Sequence, residues 1–235
     1  MKKLLLLLAV FGIRTGISQN DSSLVMKEVP ETVQQHLPSL EQSSNILNGI
    51  EHVPYAAGIE GQPYLFNEFY KGMVVYEGIT YNNVDLKYDR VKDELILRHP
   101  NGLQVILFTP RVQLFKLQDR KFLNVPRTQV KRDVFEGFYE LLSEGRVNLF
   151  VKRSTELEEK ITSGSIHKQF IGKNSYMASA NGNFYRIKND NALFELMPGI
   201  KNDAKDFLKQ QGVSFKANPE LALISIAEYY NQLRN

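Results

Sequence analysis

From Gly72 to Val125 the chain breaks into short runs of β-branched and aromatic residues: GMVVYEG, ITYNN, VDLKYD, DELILRH, LQVILFT, RVQLFKLQ and KFLNV. This feature constrains the fold more than any other. Runs so short cannot carry a helical stripe, and the polar breaks between them leave room only for antiparallel neighbours joined by tight connections. Asn101-Gly102 supplies residues that tolerate positive φ, and Asp119 lies in the polar break between Leu117 and Phe122. The pattern is that of a β-meander.

A second β group follows. GFYELLSEGRVNLFVKR turns at Ser143 to Gly145, and YMASANGNFYRIK turns at Asn181-Gly182, the strongest hairpin signal in the chain. Between them STELEEKITSGSIHKQF is polar and highly charged, a pattern that fits either a long hairpin excursion or a loop. Near residue 190 the period changes from two toward 3.6. Asp190 is placed to cap a short helix carrying Leu193, Leu196 and Met197, which Pro198 and Gly199 interrupt. A second helix carries Ala204, Phe207 and Leu208 and ends at Gly212. Asn218-Pro219 starts a third, with an apolar stripe from Leu221 to Leu233. The expected fold is therefore α+β: a mainly antiparallel β-meander, as a curved sheet or partly open barrel, with a C-terminal helical segment.

Four segments are expected. Residues 1–18 read as a signal peptide, 19–62 as a polar, weakly ordered leader, 63–188 as the antiparallel β domain, and 189–235 as helices packed on or beside the sheet. The signal reading rests on Lys2 and Lys3 followed by an apolar run from Leu4 to Ile13, too short to span a bilayer as a helix. Gly16 and Ser18 suit a cleavage site that leaves Gln19 first. The expected location is thus exported: periplasm, outer-membrane periphery or extracellular, with no transmembrane span in the mature chain. An outer-membrane barrel is disfavoured, because its strands need about nine to eleven residues and most runs here are shorter.

Export changes the charge argument. The formal net charge of +3 comes from 29 basic and 26 acidic residues, and Lys2, Lys3 and Arg14 all leave with the signal. The mature chain is formally neutral, so no nucleic-acid partner is expected. Cysteine is absent, which excludes disulfides, thiolate metal sites, cysteine nucleophiles and lipid attachment through a cysteine. With 43% hydrophobic residues, the chain must be held by its core.

The residues that could carry chemistry do not form a recognisable constellation. His36, His52, His99 and His167 are scattered, without metal-ligand spacing. GxSxG, phosphate-loop, dinucleotide and HExxH motifs are missing. Asp85, Asp89, Asp93 and Glu94 fall close together, but alternation puts Val84, Leu86 and Tyr88 on one face and Asp85, Lys87 and Asp89 on the other. Carboxylates interleaved with lysine read as a solvated face rather than an acid/base pair across a cleft. The aromatic residues Tyr64, Phe66, Phe69, Tyr70, Phe108, Phe115, Phe122, Phe135, Phe138 and Tyr139 read as core, or else as the lining of an apolar pocket. No catalytic, cofactor-binding or metal-binding residue is assigned, and no cofactor is expected.

The stretch PYLFNEFYKGMVVYEGITYNNVDLKYDRVKDELIL, the meander, GFYELLSEGRVNLFVKR and the closing KDFLKQQGVSFKANPELALISIAEYYNQL together resemble a group of uncharacterised exported β-rich proteins of Bacteroidota-type bacteria. The resemblance covers about Tyr64 to Leu233, and VDLKYD with DELIL is its most recognisable part. It implies location and architecture and carries no catalytic residue. The function expected is that of a non-catalytic envelope or secreted binding or scaffold protein, its partner a protein, glycan or small apolar ligand. The alternatives are a carboxylate-dependent hydrolase and a carrier with an aromatic-lined pocket.

Overall fold

A computed structural model of the chain describes residues 44–127, 135–162 and 165–233. The expected signal peptide, His36 and most of the leader lie outside the described residues. The described chain forms one open antiparallel sheet and three helices near its C-terminus.

The strands are β1 (Ile50–Glu51), β2 (Tyr70–Tyr76), β3 (Ile79–Asp89), β4 (Glu94–Arg98), β5 (Gln104–Ile106), β6 (Val112–Leu117), β7 (Arg120–Val125), β8 (Gly137–Ser143), β9 (Val147–Thr162), β10 (Ser165–Ala180) and β11 (Asn183–Ile187). They lie side by side in the order β1-β5-β4-β3-β2-β6-β7-β8-β9-β10-β11. ITYNN and VDLKYD, separate runs in the sequence, are one eleven-residue strand. Two-residue turns set several registers. Glu77 and Gly78 both take positive φ between the partners Tyr76 and Ile79, and Asn181 and Gly182 do the same between Ala180 and Asn183. Such turns match the right-handed twist of the strands they join. At the β6–β7 connection the left-handed residue is Gln118, not Asp119.

STELEEKITSGSIHKQF forms most of a long hairpin arm. β9 and β10 have sixteen residues each and pair along their whole length, from Val147↔Ala180 to Thr162↔Ser165. β8 accompanies β9 only as far as Val151, and β11 accompanies β10 only over Tyr176 to Ala180. The distal part therefore projects beyond its neighbours. High charge follows from that exposure, since Thr155 and Phe170 are the buried residues among those described in the distal part.

The two larger apolar clusters lie along the sheet. Over β2 to β8 the rings of Tyr88, Phe115, Phe122 and Phe138 are fully buried, with Phe115 and Phe122 stacked at 4.6 Å, among Val74, Leu86, Leu95 and Leu97. Over β9 to β11 the cluster of Val147, Leu149, Ala178 and Ile187 is covered by α1 (Asp190–Phe194), α2 (Lys201–Gln210) and α3 (Pro219–Gln232). The caps explain the helix boundaries. Asn189, one residue before the Asp190 that the sequence suggests, accepts from Ala192 N–H, and Asn218 accepts from Leu221 N–H. Gly212 takes φ +67° just beyond α2. Phe108 and Phe135, by contrast with the aromatics expected in the core, are exposed.

Of the segment read as leader, residues 44–62 are described. A 3-10 turn at Ser44–Leu47 places Ile46 in the first cluster, and β1 pairs with β5. The chain then crosses the end of β3: Leu65 N–H donates to Tyr88 C=O, and Arg90 N–H donates to Pro63 C=O. Glu60 bridges in parallel to Gln169 on β10. Residues 52–65 form a strap that ties the meander to the arm.

Candidate functional site

The strap and the β3–β4 turn bring several ionisable groups together, Asp89, His52, Tyr55, Tyr64 and Lys87 among them. Asp89, the last residue of β3, is completely buried. Its carboxylate accepts from Val91 N–H at 2.8 Å and Lys92 N–H at 3.1 Å, which closes the turn, and from the Tyr55 hydroxyl at 2.9 Å. His52 is buried and shares a 2.9 Å hydrogen bond with the Tyr64 hydroxyl through Nε2, while Nδ1 has no partner among the described residues. Burial lowers the His52 pKa, Asp89 opposing and Lys92 and Lys87 assisting, so the ring stays neutral at pH 7. Burial and the Asp89 charge raise the Tyr55 hydroxyl far above its usual range. Lys87 lies 4.8 Å above the Tyr64 ring and 4.6 Å above Phe69, and burial lowers its pKa.

Asp93 forms a second node. It sits in the left-handed region at φ +59° and accepts from the Tyr88 hydroxyl at 2.6 Å, Lys152 Nζ at 2.6 Å and Phe138 N–H at 3.2 Å. Gly137 packs so closely on this carboxylate and on Lys152 that a Cβ there would collide with both. Burial, followed by the Asp93 charge, pushes Tyr139 up to about 12. Glu94 is partly buried with Oε2 unpartnered among the described residues, and desolvation raises its pKa.

A third node joins the sheet to the helices. Arg153 donates Nε to Glu140 at 2.6 Å, and its two terminal nitrogens donate to Glu220 at 2.7 and 2.9 Å. Burial disfavours the guanidinium charge, but the hydrogen bonds to Glu220 and Glu140 outweigh it and raise the pKa.

The four carboxylates singled out in the sequence thus have different surroundings. Asp85 is the one that fits the solvated-face reading best, paired with Lys71 at 3.2 Å and Arg98 at 3.4 Å, both well exposed. Asp89 departs from it outright, because the strap covers the face that alternation assigns to water. Asp93 turns back to the β8–β9 side, and Glu94 is half-buried. His167 is exposed, and His99 accepts from Asn101 N–H through Nδ1. No group of three or more His, Asp or Glu residues suited to a metal ion occurs among the described residues.

Sequence patterning leaves His52 among scattered histidines and gives no prominence to Tyr55, Lys152, Arg153, Glu140 or Glu220. Glu140 does carry a signal: it falls in phase with Phe138 and Leu142, where a charge needs a buried partner. Arg153 likewise falls in phase with Leu149 and Val151. A cleft of about 280 Å³ lies where the strap meets the arm, lined by Glu60, Glu158, Lys160, His167, Lys168 and Gln169. Ile166 and Gly58 complete a lining that carries charges of both signs.

The fold and these nodes define a β-rich α+β protein with an open antiparallel sheet and a few helices near the C-terminus. No helix among the described residues is long and apolar enough to cross a membrane. No family model, curated protein or solved structure matches the chain.

Proposed function

We propose that the chain is an exported, non-catalytic binding or scaffold protein of the cell envelope or the surrounding medium. The observation that carries this reading is the employment of the clustered carboxylates. Asp89 closes a turn and anchors the strap, Asp93 links Tyr88 to Lys152, and Asp85 bridges Lys71 and Arg98. A carboxylate-dependent hydrolase of the glycosidase kind needs a carboxyl group open to substrate, with a second facing it. The aromatic rings likewise support a filled core over a carrier pocket, since Tyr88, Phe115, Phe122 and Phe138 pack on one another at 4.6 to 5.9 Å.

The surface that such a protein offers is the projecting arm, where Leu157, Ile161 and Ile166 are exposed. The test uses protein cross-linked in its native envelope, followed by mass spectrometric identification of what it holds. A stoichiometric partner that persists in Asp85→Asn and is lost in Ile161→Lys/Ile166→Lys is expected. Turnover of a peptide, glycan or ester substrate that Asp85→Asn or Asp93→Asn abolishes would contradict the reading.

A further inference from the structure

The geometry points to a second copy of this chain as the occupant of the edge of β9 that is unpaired among the described residues, and we propose that the protein forms a two-fold dimer by antiparallel pairing of residues 156–162. This names the occupant of the arm surface on which the binding reading also rests, and disulfide capture at residue 159 reports the dimer whether or not a foreign partner is held.

The edge is defined by hydrogen bonding. Thr155 N–H donates to Arg90 C=O, so the odd-numbered residues of β9 direct their backbone groups away from β10. Leu157, Glu159 and Ile161 continue that series beyond the end of β8. They present strand-pairing groups at an edge, which invites another strand.

The side chains select one register. With Glu159 on the two-fold axis, Glu158 of each copy faces Lys160 of the other, and Leu157 of each faces Ile161 of the other. Glu158 and Lys160 then occupy non-hydrogen-bonded positions, where side chains approach most closely and opposite charges attract. Leu157 and Ile161, 38% and 79% exposed in the single chain, gain apolar neighbours. Because Phe170 and Ile166 are their cross-strand partners on β10, each apolar pair extends into a strip across four strands. The one unfavourable juxtaposition is Glu159 with its own copy. Lys168 lies 2.6 Å from Glu159 and offsets that charge on both sides.

A slip must move by two residues to keep the odd-numbered backbone groups paired: one direction sets Glu158 against its own copy and Leu157 opposite Glu159, and the other sets Lys160 against its own copy and Ile161 opposite Glu159. Either slip loses the apolar strip, so the sequence favours a single register.

The absence of cysteine supplies a direct test. Glu159→Cys puts two thiols on the axis at a hydrogen-bonded pair, with Cα atoms about 5.5 Å apart, inside the disulfide range. Glu156→Cys puts them about 20 Å apart, about six residues along the strand. Under mild oxidation, cross-linked dimer is expected from Glu159→Cys and not from Glu156→Cys. Sedimentation of the unmodified chain should show a dimer that Glu158→Lys or Lys160→Glu weakens about tenfold or more, and that the double reversal Glu158→Lys/Lys160→Glu restores. A monomer at all concentrations up to about 100 µM, equal cross-linking at both positions, or a double reversal no better than the singles would overturn the proposal.

Discussion

Arg153 on β9 and Glu220 in the first turn of α3 meet fork to fork, with nitrogen–oxygen distances of 2.7 and 2.9 Å. The same guanidinium reaches Glu140 on β8. One side chain therefore ties α3 to β8 and β9. The position of Glu220 also suits the positive end of the α3 dipole. Arg153→Ala is expected to cost about 3–5 kcal/mol, because it leaves Glu220 without its cation and the buried Glu140 with only Arg120, 3.6 Å away. Urea denaturation measures this, and a loss below about 1 kcal/mol would mean that solvent already screens the cluster.

The Asn181-Gly182 turn isolates a backbone effect. Gly182 takes φ +74°, and nothing lies within 4 Å of the Cβ that a substitution would add. Gly182→Val is expected to destabilise by about 1–2 kcal/mol from conformation alone. Gly182→Asn, which tolerates the left-handed region, should recover most of that loss. Melting temperatures of the two variants compare them directly, and equal values would contradict the turn geometry.

Acidification should weaken the strap through His52. Burial lowers its folded pKa below the unfolded value of 6.5, so the unfolded chain takes up the proton first. Stability is therefore fully present above about pH 6.5 and is lost as pH falls from there through the lower folded pKa. Glu94, whose pKa burial raises, acts in the opposite sense, losing stability as pH rises through its own range. The His52 contribution is isolated by comparison with His52→Gln, which should show a smaller loss of urea midpoint between about pH 7.5 and about pH 5.5. Identical losses would remove His52 as the source.

These nodes also mark how far the sequence can be read. Strand phase places Val84, Leu86, Tyr88, Leu95 and Leu97 inward, and all five are buried. Asn181-Gly182, Asn218-Pro219 and Gly212 act as local chemistry says they should, since turns and caps depend on few neighbours. Asp89 escapes the same reasoning because what buries it is a weakly patterned strap, whose Tyr55 lies 34 residues upstream. The arm is ambiguous for a related reason. Its few in-phase apolar residues, Leu157, Ile161, Ile166 and Phe170, are outnumbered by charged ones, and cross-strand pairing over sixteen residues identifies the hairpin. Arg153 and Glu220 lie far apart in sequence, and no local signal joins them.

The carboxylates of VDLKYDRVKDE hold structure together, with Asp89 the anchor and Asp85 a surface partner, and on this the non-catalytic reading stands. The most direct measurement compares the unfolding free energies of Asp89→Ala and Asp85→Ala. Asp89→Ala leaves two turn N–H groups and the Tyr55 hydroxyl without their acceptor and is expected to cost about 2–4 kcal/mol. Asp85→Ala removes ion pairs to exposed cations and is expected to cost less than about 1 kcal/mol. Equal costs, or an Asp89→Ala variant as stable as the parent chain, would contradict these roles.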